Sequence, residues 1–192
     1  MFLSRGNRKC KNMWIFNLPA VEACPFNVDC HKTCYALKAQ RMYKTARKAR
    51  QDNFKAAKKD LIGLERFLSD KIQFGPYNVC RIHESGDFFS QEYVDMWARV
   101  AARLPRIKFY AFTKTLSMFD FSMLTKLPNV NILPSYVGGH LNYGTAQHVI
   151  HLAIRHGAKI CPATAKQGGQ KCNINCKWCQ EKGHTYVAFF QH

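Results

Sequence analysis

A chain of 192 residues is one domain of ordinary size, or one with a small appendage. With 47% hydrophobic residues it can bury a real core without cysteine staples, and it holds no unbroken apolar run of membrane-spanning length. The net charge of +17, from 29 Lys and Arg against 12 Asp and Glu, points toward a polyanionic partner, DNA or RNA, with a solvated basic surface as the plain alternative.

The first residues, MFLSRGNRKCKNMWIF, lack the continuous apolar stretch of a secretory signal, so a cytoplasmic protein with no membrane association is expected. In a reducing compartment nine cysteines more readily bind metal than pair with one another.

MWIFNLPA, residues 13 to 20, reads as a short buried strand. CPFNVDCHKTCY follows as a loop and carries Cys24, Cys30 and Cys34 in a C-x5-C-x3-C spacing. A long helical pattern runs from about Tyr35 to Ile72, with Phe54, Leu61, Leu64 and Leu68 as its apolar stripe and Gly75-Pro76 as its stop. Ten Lys and Arg lie between Lys32 and Asp60, against two acids. Of these, Lys38, Arg41, Lys44, Lys48, Lys55 and Lys58 recur at helical spacing and make a stripe suited to phosphates; an exposed amphipathic face explains the same period but not the sign. Tyr43 and Phe54 suit base stacking but are expected to face inward.

YNVCRIHESGDFF, 77 to 89, reads as a strand running into a polar loop, and Ser90 caps a helix from Gln91 to Leu104. IKFYAFTK is the next strand, a short helix lies near 118 to 127, and NVNILPSYV is another strand. GTAQHVIHLAIRHG reads as a helix stopped by Gly157, AKICPA as a strand into a second cysteine loop, and TYVAFF as the closing strand. Strands alternating with helices predict parallel β-α-β units, with a core over 17 to 157 and a cysteine-rich segment over 158 to 192. The fold class is α/β, a partial parallel (β/α) barrel or an open parallel sheet. In either, sites collect beyond the carboxyl ends of the strands, where this sequence carries its unusual residues.

The second cysteine loop supplies Cys161, Cys172, Cys176 and Cys179, a complete four-thiolate set. Zinc and an iron–sulfur cluster both accept four cysteines; uneven spacing with a single C-x2-C knuckle favours the cluster. The first loop stops at three. Zinc with a distant fourth ligand (His31, Cys10 or Cys80) is one reading; a four-iron cluster with one iron left open for a small molecule is the other. Cys80, on an apolar strand, reads as a buried thiol. Glu84 and Asp87 flank Gly86 and suit either an acid–base pair or a grip on a cofactor amine; Asp87 and Ser90 also suit helix capping. Lys114 at a strand end suits a carboxylate or phosphate.

A three-cysteine loop after the first strand of a parallel β-α array resembles the radical-SAM enzymes, although their spacing is tighter and their aromatic residue precedes the last cysteine. The resemblance implies one or two [4Fe-4S] clusters, with S-adenosylmethionine at the open iron and His83, Glu84, Ser85, Gly86 and Asp87 around it; Lys114, at its strand end, is a further candidate for the cofactor. The Cys-Pro, Cys, Cys-Tyr opening, the central SGDF, the FTK strand end and the cysteine-rich tail are similar to a phage family named for gene product eighty-eight, over about Asn17 to Cys179. That likeness implies a trimmed radical-SAM-like fold and no known reaction. A metal-stabilised protein, iron–sulfur or zinc, that binds DNA or RNA without chemistry is the alternative.

Overall fold

A computed structural model describes residues 1–7, 10–25, 30–134, 159–160, 178–180 and 187–188. The elements in chain order are β1 (Ser4–Gly6), β2 (Lys11–Phe16), α1 (Tyr35–Met42), α2 (Lys44–Lys59), α3 (Leu61–Gln73), β3 (Val79–Ile82), α4 (Gln91–Arg103), β4 (Lys108–Thr113), α5 (Ser122–Thr125) and β5 (Val130–Pro134). A separate two-stranded parallel ladder joins β6 (Lys159–Ile160) to β7 (Val187–Ala188).

The main sheet is mixed, with strand order β1-β2-β3-β4-β5. The ladders β2–β3, β3–β4 and β4–β5 are parallel, and β1 adds an antiparallel edge to β2. The last four residues of β2 are buried without alternation, as expected where a strand is covered on both faces. Trp14, Phe16, Cys80, Ile82, Phe109 and Ala111 join Leu64, Leu68, Ile72, Val94, Trp97 and Val100 in one large core beneath the helices. The alternate residues Met13, Ile15, Val79 and Tyr110 form a smaller cluster on the other face with Cys10, Phe112 and Cys179. The sequential strand order keeps every long helix against one face. Among the described residues the sheet is open, not a closed barrel.

The expected long helix is three helices. It breaks first at Tyr43, whose extended backbone ends α1 and starts α2 with no side-chain cap. It breaks again at Asp60, whose carboxylate accepts the Gly63 amide at 2.8 Å and so caps α3. Tyr43, expected to face inward, is 59% exposed, whereas Phe54 is buried as expected. Ser90 caps α4 by accepting the Tyr93 amide at 3.3 Å. The helix expected over 144 to 157 lies outside the described residues.

Candidate functional site at the carboxyl edge of the sheet

The chain leaves β2 at Phe16 and β3 at Ile82, which are paired neighbours, so the segments that follow emerge side by side. They are then laced together. The His83 amide donates to the Phe16 carbonyl at 3.0 Å, and the Leu18 amide to the Ser85 carbonyl at 2.9 Å. The Asn17 side-chain oxygen accepts the Glu84 amide at 2.7 Å and the Ser85 amide at 2.9 Å. The Asp87 amide donates to the Ala23 carbonyl at 3.0 Å, one residue before Cys24. Gly86 has φ +84, and a Cβ there would meet Leu18 Cβ at 2.6 Å, so the SGDF turn needs its glycine. Val21 (φ +71) and His83 (φ +64) hold left-handed backbone that side-chain-bearing residues seldom adopt, a strain of order 1–3 kcal/mol each.

Asp87 is the buried charge of the rim. One of its oxygens, Oδ1, accepts the Thr113 hydroxyl at 2.6 Å and the Phe88 amide at 2.8 Å; Oδ2 accepts the Lys114 amide at 3.0 Å. Burial raises its pKa despite these donors and the Lys114 charge. Cys24 is half-buried beside it. Burial first, then the Asp87 carboxylate and Cys34, push its thiol up to about 11, while a hydrogen bond from the Val21 backbone and the Lys114 charge pull the other way. Cys24, Cys34, Asp87 and Lys114 therefore share one electrostatic neighbourhood drawn from three strand ends.

Cys34 stands where the short 3-10 turn Cys30–Thr33 meets α1. The next residue, Tyr35, donates its hydroxyl to the Glu84 carbonyl at 2.7 Å. Glu84 itself accepts from Asn7 at 2.6 Å. Arg50, buried within α2, donates to the Ala36 carbonyl at 3.0 Å; burial lowers its pKa, and the nearby Glu84, Tyr35 and Cys34 oppose the shift. Arg81 projects from the other face of β3, bonding Cys10 Sγ at 3.3 Å and the His83 carbonyl at 3.2 Å.

The ring of His83 turns away from this rim. Its Nε2 lies 2.8 Å from the Tyr93 hydroxyl, it packs on Phe88, and its Nδ1 has no partner among the described residues. Burial, with Arg81 second, lowers its pKa from 6.5 to about 3. Ser85 is buried, its hydroxyl has no partner among the described residues, and its bonds to Asn17 and Leu18 are made by its backbone. Cys80 is fully buried.

Cys24, Cys34 and Cys179 form no disulfide among the described residues. No three His, Cys, Asp or Glu side chains stand together as a ligand set among the described residues. Cys161, Cys172 and Cys176 lie outside them, as do the glycine-rich segment 136 to 144, His148 and His151. Cys179 packs beside Tyr110 and Phe112, and its carbonyl accepts from Asn131 at 3.1 Å. Cys24, Cys34, Asp87 and Lys114 lie close enough to influence one another electrostatically, without forming a metal-ligand set among the described residues.

The six residues of the basic stripe are all exposed. Lys48 pairs with Asp52 at 2.6 Å, and Lys58 lies over the Phe54 ring at 4.3 Å. Arg47 and Lys59, absent from the expected stripe, are exposed on the same helix. Asn17 and Arg50 are the site residues the sequence reading missed; an asparagine directly after a strand was the available signal for the first.

The sequence profile described as Gene product 88 matches residues 1–174. The chain belongs to the Gene product 88 family. Two curated relatives are similar to it. The Gene 88 protein of Mycobacterium phage D29 is 29% identical over 121 residues, covering 57% of this chain and 50% of the relative. The Gene 88 protein of Mycobacterium phage L5 is 29% identical over 119 residues, covering 56% and 49%. The chain thus spans about half the length of the curated relatives it matches. No solved structure matches. No helix among the described residues is long and apolar enough to cross a membrane.

Proposed function

We propose that the carboxyl edge of the sheet holds an iron–sulfur centre ligated by Cys24, Cys30 and Cys34, with one coordination position left for S-adenosylmethionine. The observation that carries this reading is the shared neighbourhood of Cys24, Cys34, Asp87 and Lys114. When bound, such a centre supplies an electron and an open iron. The chain's own residues divide the remaining work. Glu84 is the available acid for a cofactor amine, because Asp87 already accepts three donors. Asp87 instead fixes the Lys114 backbone and sets the charge beside Cys24, and Lys114 offers a cation for a carboxylate. Gly86 admits the close approach of Leu18 that lets the turn form. Cys161, Cys172, Cys176 and Cys179 would hold a second cluster.

The test is anaerobic purification with iron, sulfide and zinc analysis, followed by S-adenosylmethionine added to the reduced protein. Iron with sulfide, a spectral change on adding the cofactor, and 5′-deoxyadenosine support the reading. Zinc alone, or iron that ignores the cofactor, removes it.

A second reading is a metal-stabilised nucleic-acid-binding protein of a phage, acting in the host cytoplasm without chemistry. The exposed basic surface of α1 and α2 favours it. Binding to DNA or RNA that falls steeply with salt supports it, and a flat salt response counts against it.

A further inference from the structure

We propose that α1, Tyr43 and the start of α2 form a platform for single-stranded nucleic acid, on which bases stack against Tyr43 and Tyr35 while Lys38, Arg41 and Lys44 hold the phosphates. This rests on the nucleic-acid reading of the basic face and adds the strandedness, the residues and the direction of approach.

Tyr35, Met42 and Tyr43 are 62%, 63% and 59% exposed, and all three fall within nine residues. Scattered exposed apolar side chains need no explanation, but a cluster does. Among them stand Lys38, Arg41 and Lys44, exposed and without an ion pair among the described residues.

The two helix breaks make the case sharper. At the second, Asp60 spends its side chain on capping. At the first, Tyr43 occupies the same structural position, makes no side-chain cap, and leaves its ring in water. Its backbone is fully used, the amide donating to Ala39 at 3.0 Å and the carbonyl accepting from Arg47 at 3.0 Å. Folding asks for Ser, Thr, Asp or Asn here, not an aromatic ring. Lys44 in the first turn of α2, with no acid beside it, also opposes the helix dipole. Both choices fit a polyanion with flat apolar bases.

The platform has a direction. Tyr35 and Tyr43 are separated by α1, about 12 Å at the usual helical rise, which is room for several bases at a stacking repeat of about 3.4 Å. Tyr35 touches the site, because its hydroxyl bonds the Glu84 carbonyl. A strand lying on the platform therefore ends at the rim that carries Cys34 and Glu84. A duplex is excluded, because its bases are already stacked on one another.

The experiment is fluorescence anisotropy on the full chain with labelled oligo-dT, oligo-rU and a mixed-sequence duplex at several salt concentrations. Both single strands should bind, the duplex at least tenfold more weakly. Tyr43→Ala should weaken single-strand binding about tenfold and Tyr43→Phe should preserve it. Lys44→Ala should lower the log–log salt slope by about 0.7. If Tyr43→Ala binds like the wild type while Lys44→Ala still weakens binding, the stacking platform falls and the basic-face reading stands. Equal duplex binding, or a tenfold preference for one sugar, also overturns the platform. If no nucleic acid binds, both fall, whatever an acidic polypeptide or an anionic vesicle does in the same assay.

Discussion

The Thr113 hydroxyl lies 2.6 Å from the buried carboxylate of Asp87, joining the end of one strand to the turn that follows another. That hydroxyl also accepts the Thr115 amide at 3.0 Å. Replacing it with an isosteric methyl group leaves a buried charge and a buried amide each short of a partner. Thr113→Val should therefore destabilise the protein by roughly 1–3 kcal/mol, and Thr113→Ser by much less. Urea denaturation of both variants measures the difference.

Asn17 holds the Glu84 and Ser85 amides with one oxygen. Asn17→Ala releases both, at a cost of roughly 1–3 kcal/mol, and loosens the turn that aligns Asp87 with Cys24. The expected result is lower stability together with poorer iron retention after gel filtration. Lost stability with unchanged iron would separate the turn from the metal.

Cysteines should divide by position. Cys24→Ser and Cys34→Ser should each lower iron per protein after anaerobic purification. Cys80→Ala, in the core beneath α4, should leave iron unchanged while costing roughly 1 kcal/mol. Equal iron in all three variants contradicts the proposed centre.

His83 should make the fold acid-sensitive. Its pKa is about 3 when folded, well below its usual 6.5, so the fold favours the neutral ring. The stability this contributes is fully present above the unfolded pKa and is lost as pH falls from about 6.5 toward 3. Asn tolerates the left-handed backbone at this position and does not titrate. Between pH 7 and pH 4.5, His83→Asn should therefore lose less stability than the wild type. Parallel losses would show that the ring is not the acid-labile group.

The alternation of strands and helices was legible because burial on both faces writes continuous apolar runs, as in MWIF and FYAF. The cap at Ser90 and the buried thiol of Cys80 were legible for equally local reasons. β1 was not, since three residues, SRG, carry no period. The breaks at Tyr43 and Asp60 were hidden by an apolar stripe that continues across them, although Asp60 with a glycine three residues later was a readable cap. An unbroken helix would keep Tyr43 in phase with Phe54, and the break at Tyr43 removes that constraint. The site divides in the same way. The gathering of Glu84, Asp87 and Lys114 at strand ends follows from topology, whereas Asn17 acts on residues 67 and 68 positions away and no local pattern announces that.

Helix α2 is gripped from its inner side. Asn53 reaches the carbonyl of Asn17 at 3.0 Å, and Asn17 in turn carries the Glu84–Ser85 turn. A polymer pulling on the outer lysines of this helix would load that pair of carboxamides, and through them the loop that ends at Cys24. The outer lysines and the turn that precedes Asp87 thus hang from the same asparagine pair.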